Sequence, residues 1–103
     1  LEEHGEFSSP DYPNSVVTGL ECEYFLAANP GNVIALRFLD VSLQSGDSVT
    51  LYDGMSNETP LAVVTNADPG DRFLTKDSNI MRVIHRTSTI RGKRWWHASF
   101  LSI

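Results

Sequence analysis

Through most of these 103 residues, large apolar side chains recur at every second position, in short runs closed off by turn residues. The clearest runs are Cys22, Tyr24 and Leu26; Ile34, Leu36 and Phe38; Val49 and Leu51; Met81, Val83 and His85; and Trp96, Ala98 and Phe100. A strand sends successive side chains to opposite faces, so a two-residue period marks a strand with one face buried. Residues 61–65 add a shorter apolar strand. Thr18-Gly19, Pro30-Gly31, Ser45-Gly46, Asp53-Gly54, Pro69-Gly70 and Arg91-Gly92 mark turns between the runs. No helix-length segment sustains a 3.6-residue period. Short, evenly spaced strands with one apolar face each are expected to pack as two antiparallel sheets face to face. The predicted fold is therefore an all-β antiparallel sandwich, one domain over residues 1–103, without internal repeat, linker or low-complexity tract.

A chain of this length buries roughly 60 to 65% of the surface its unfolded form exposes, which is enough for a core without metal or disulfide. No run of about 18 apolar residues is present, so no segment here is predicted to enter a membrane as a helix. The chain starts at Leu1 with no charged and then apolar leader, and it reads as a segment of something longer. Net charge is −5, unevenly spread. Residues 1–77 hold 13 acidic and three basic residues (−10), and residues 78–103 hold five basic and no acidic residues (+5). The acidic total argues against a nucleic-acid partner, which calls for a basic surface.

The runs carry further residues in a particular order. Ser9-Pro10 with Tyr12-Pro13 comes first, then Cys22 with Tyr24 and Leu26, Pro30-Gly31, and Ile34 with Leu36 and Phe38. Asp47 with Val49, Leu51 and Asp53-Gly54 follows, then Asn79 with Met81, Val83 and His85, and finally Trp96 with Ala98 and Phe100. This order and spacing resembles the CUB family, extracellular modules of complement proteases, developmental metalloproteases, spermadhesins and receptor ectodomains. The resemblance covers nearly the whole chain. It implies a jelly-roll-like sandwich in a secreted protein or the ectodomain of a membrane protein, binding partners and catalysing nothing, with no cofactor.

Family members carry two disulfides, and here the second pair is missing as a unit. The resemblance places the partner of Cys22 upstream of Leu1. Read from the residues alone, Cys22 is equally a buried free thiol acting as a small apolar residue. Many members also bind calcium through three carboxylates. The corresponding positions fall on Gln44, on Asp47 and on Ser88, or Thr87 in a register shifted by one, so Asp47 alone remains and no metal is expected. Calcium needs several hard, charged oxygen ligands. Asp47 is read instead as a turn cap accepting from local backbone amides.

His4, His85 and His97 fall in positions that do not converge, and His85 stands where the family has a core Phe. No metal-ligand spacing, phosphate loop or nucleophile elbow occurs, so no catalytic residue is assigned. Asn57-Glu58-Thr59 is a glycosylation sequon beside the Asp53-Gly54 turn, and Asn57 is expected to carry glycan.

Arg86, Arg91, Lys93, Arg94, Trp95 and His97 form the candidate binding cluster. Arg and Trp dominate binding energy at interfaces because both offer large contact area with directional polar groups. With Trp96, Ala98 and Phe100 inward, alternation puts Trp95 outside. The function expected is extracellular protein–protein recognition, with an acidic partner favoured by this segment. Two alternatives stand beside it: a sandwich binding sulfated glycan, with Trp95 as stacking platform, and an exosite domain of a larger protease.

Overall fold

Eight strands carry the alternating residues: β1 (His4–Ser8), β2 (Glu21–Ala27), β3 (Ile34–Ser42), β4 (Ser48–Asp53), β5 (Ala62–Val64), β6 (Arg72–Leu74), β7 (Ile80–Arg86) and β8 (Trp95–Ser102). The computed structural model describes residues 4–10, 12, 14–55, 60–65, 71–76 and 78–103. The strands form two antiparallel four-stranded sheets, one in the order β1-β8-β3-β6 and the other β2-β7-β4-β5. Five of the eight strands lie on runs that alternation predicts, and β5 lies on the short apolar run at residues 61–65. β1 and β6 do not, because each offers one large inward residue, Phe7 and Phe73, and a single residue shows no period.

The inner faces meet in a core of Leu26, Ile34, Leu36, Phe38, Val49, Leu51, Val64, Met81, Val83, Trp96 and Ala98. Trp96 sits at its centre, fully buried. The rings of Phe7, Tyr24, His85 and Phe38 stand edge-on or tilted to it or to each other, with centroids 5.1, 5.5, 5.7 and 6.0 Å from Trp96. Each such contact adds about 0.5–1.5 kcal/mol beyond the area it buries. Cys22 shares the inward side of β2 with Tyr24 and Leu26 but is half-buried, and it forms no disulfide among the described residues. Burial, with a smaller push from Cys22, raises the Tyr24 pKa to about 12.

Two local devices shape the first sheet. Pairing of β3 with β8 passes from Phe38↔Ala98 to Asp40↔His97, so Leu39 is an extra residue. Such a bulge re-aims a strand. Here it lets Leu39 and Asp40 both stay exposed while Phe38 and Val41 hold their places opposite Ala98 and Trp96. At the end of β1, buried Ser9 extends the ladder, its amide donating to Trp96 O (2.9 Å) and its hydroxyl oxygen accepting from Trp96 N (3.0 Å). That anchors the Ser9-Pro10 turn and brings Tyr12 over the outer face of the sheet. Asn57 lies outside the described residues.

Candidate functional site

The connection from β3 to β4 is short, and Gly46 takes φ +84°, where a side chain would be strained and its Cβ would stand 3.0 Å from Ser88 Cβ. The tight turn carries Asp47 into the end of the sandwich. Its Oδ2 accepts from the Gln44 amide at 2.9 Å, its Oδ1 from the Ser88 amide at 2.7 Å, and its own amide donates to Gln44 O at 3.0 Å. Asp47 therefore caps this turn and also ties it to the residues following β7.

Oδ2 has a second donor. Arg94 Nε lies 2.5 Å away, and the two side chains are 1% and 0% exposed. Arg94 Nη2 donates to Ile90 O, and the Arg94 backbone binds Ser15 Oγ and Val16 N. One ion pair thus links the β3–β4 turn, the β7–β8 loop and the N-terminal segment. Burial works to raise the Asp47 pKa, but the hydrogen bonds from Arg94 and from the Ser88 and Gln44 amides outweigh it and hold the carboxyl below its usual range. With its oxygens committed to N–H donors and a guanidinium already against it, Asp47 is not arranged as a calcium ligand. Gln44 turns its side-chain amide to Lys93 O at 2.8 Å. Among the described residues no group of three or more His, Cys, Asp or Glu is placed to hold a metal ion.

The structure divides the candidate binding cluster, and it corrects the cluster in two places. Arg94 is not on the surface, because its charge is spent inside on Asp47. Arg86 belongs to the other sheet, where its guanidinium pairs with Glu21 at 3.0 Å across β7 and β2. Arg82, the neighbouring outward cation, likewise pairs with Glu23 at 2.7 Å. Most of the basic excess after residue 77 is therefore neutralised by acidic residues from earlier in the chain. Arg91 and Lys93 remain exposed in the loop before β8, with no ion pair among the described residues.

Trp95 and His97 do lie together, on the outer face of the first sheet. Trp95 is partly exposed, and its Nε1 donates to Asp40 Oδ2 at 3.1 Å. Tyr12 donates its hydroxyl to the same oxygen at 3.1 Å and lays its ring over His97, centroid to centroid 5.1 Å. His97 Nε2 meets Glu6 Oε1 at 2.7 Å. Tyr12, Asp40 and Glu6 escape a reading by local pattern because they reach Trp95 and His97 through folding alone; the sole sequence signal was the Tyr12 motif. The three histidines stay apart: His4 and His97 are on the outer face of the first sheet, and His85 is buried on the inner face of the second. No nucleophile and base are brought together in these arrangements. They can present an ordered aromatic and charged surface.

Comparison with known proteins places this geometry. The family described as CUB domain matches residues 1–100. The chain is 35% identical over 91 residues to ovochymase of Halocynthia roretzi, covering 84% of the chain and 6% of that protein. It is 32% identical over 94 residues to cubilin of Sus scrofa, covering 86% of the chain and 3% of that protein. It thus spans a small fraction of the relatives it matches. Among solved structures, the CUB1-EGF-CUB2 domain of human MASP-1/3 superposes with TM-score 0.80 at 21% identity, over 99% of this chain and 42% of that one, a likeness of fold. CUB domains are non-catalytic modules of larger extracellular proteins, and this chain belongs to that family.

Proposed function

We propose that the chain is an extracellular protein-recognition module of a larger protein, and that it engages its partner through the outer face of the first sheet and the loop before β8. The observation that carries this reading is the setting of Trp95. Its indole is partly exposed and held by Asp40, and the exposed cations Arg91 and Lys93 precede it in the loop before β8. A fixed aromatic surface loses little side-chain freedom on binding, so its contact area converts efficiently into affinity. The two cations would steer an acidic partner. A sulfated polysaccharide fits less well, because Asp40 and Glu6 stand among the aromatic groups it would cover.

A panel of secreted and ectodomain proteins, screened against the wild-type chain and Trp95→Ala, tests this reading. The expected result is a partner whose binding is lost in the variant while the variant's fold is retained. A partner bound equally by both would place recognition elsewhere. Elution from a heparin column at salt well above that expected for an acidic protein would favour the glycan alternative.

A further inference from the structure

Two arginines from the acidic part of the chain face each other on the outer side of the first sheet. β3 pairs with β6 so that Arg37 lies opposite Arg72, and β8 places Ser99 opposite Arg37 on the other flank. Leu36, Phe73 and Phe100 take the inward positions, so Arg37, Arg72 and Ser99 stand outside. Like charges directly opposite on a sheet destabilise it. The other strand arginines avoid this, since Arg82 and Arg86 each pair with a glutamate. Arg37 and Arg72 are both exposed, and neither side chain has an ion pair or hydrogen bond with any described residue. Glu6, in the same cross-strand row, is held by His97.

Arg37 and Arg72 line an open pocket of about 130 Å³ together with Ala35, Leu36, Ser99, Phe100 and Leu101. Its lining suits a carboxylate on an aliphatic stem: two guanidinium groups and a hydroxyl for the oxygens, Ala35 and Leu101 for the stem. Arg is the residue suited to grip a carboxylate, because its planar fork meets both oxygens.

We propose that this pocket binds an Asp or Glu side chain presented by a protein partner, with Arg37 and Arg72 as the clamp and Ser99 as a further donor. It is a second site on the face that carries Trp95, and it rests on the protein-recognition reading in taking the occupant to be a protein. A polysulfated chain is disfavoured, because the net negative body repels its many charges far more than the single charge of one carboxylate.

Amide chemical shifts of the 103-residue chain, titrated with acetyl-Gly-Glu-Gly-amide, its Gly-Gln-Gly counterpart and a sulfated disaccharide, test the proposal. The glutamate peptide should shift amides around Arg37, Arg72 and Ser99, and the glutamine peptide should bind about ten-fold more weakly or worse. Arg37→Gln and Arg72→Gln should each weaken the glutamate peptide by a similar factor while the Tm stays unchanged or rises, since one of two facing like charges has gone. Trp95→Ala should bind the peptide as wild type does, which keeps this site separable from the one around the indole. Equal binding of the two peptides, shifts elsewhere on the chain with none around Arg37, Arg72 and Ser99, tighter binding of the disaccharide in the pocket, or a Tm lowered by both arginine substitutions would each overturn the proposal.

Discussion

Arg94 Nε approaches Asp47 Oδ2 to 2.5 Å with both side chains closed off from solvent, so the end of the sandwich is held by a cation that belongs to the chain itself. The two partners are unequal in what they keep when separated. Asp47 retains the Gln44 and Ser88 amides, whereas Arg94 retains Ile90 O. Asp47→Ala should therefore destabilise by about 3–5 kcal/mol, the usual cost of leaving a buried charge uncompensated. Arg94→Met should cost less. Urea unfolding of both variants and of the double variant measures the coupling, and equal single costs would show that the backbone donors contribute nothing.

Acid should unfold the protein through two buried groups acting in the same direction. His85 is fully buried, and neither ring nitrogen has a hydrogen-bond partner among the described residues. Burial lowers its pKa from 6.5 to about 4, Asp47 opposing and Arg94 adding to the effect. Because the folded pKa lies below the unfolded one, the contribution is fully present above pH 6.5 and is lost as pH falls toward 4, up to roughly 3 kcal/mol. Asp47, also lowered, loses its contribution below its ordinary value of 3.8. His85→Phe should flatten the upper part of this profile and raise stability, because it removes two unpaired polar atoms beside Trp96. Thermal melts of the wild-type chain and of His85→Phe, carried from pH 7 to below the ordinary Asp47 value, check the profile.

Calcium should leave the melting temperature where it is. A ligand at a hundred times its dissociation constant adds about 2.7 kcal/mol to stability, enough to see by calorimetry. Asp47 has its oxygens occupied by N–H donors, so neither added calcium nor a chelator should move the transition. A rise of several degrees would mean that Arg94 gives way to the metal.

Trp95→Ala should change stability by about 1 kcal/mol or less, the range for a partly exposed residue. Loss of partner binding should be about 2 kcal/mol or more. Lys93→Glu should slow association with little effect on dissociation, which surface plasmon resonance at two salt concentrations would resolve. Arg94→Glu should instead unfold the domain, because it places a second carboxylate against Asp47.

The two-residue period determined the sandwich, the inward residues of β2, β3, β4, β7 and β8, and the opposite orientations of Trp95 and Trp96. These are local properties: once a segment is a strand, alternation decides which side chains share a face. Asp47 was legible as a turn residue for the same reason, since its amide contacts to Gln44 span three residues.

Which strands pair, and so which charges meet, was decided by tertiary structure. A run of basic residues in sequence became three separate environments, because Arg86 met Glu21 across one sheet, Arg94 met Asp47 between the sheets, and Arg91 and Lys93 stayed in a loop. Arg37 and Arg72, 35 positions apart and unremarkable in the sequence, became neighbours through the pairing of β3 with β6. Charge in a chain is additive along the sequence, but its effect depends on distance and burial, and both are set by contacts between residues far apart in the chain.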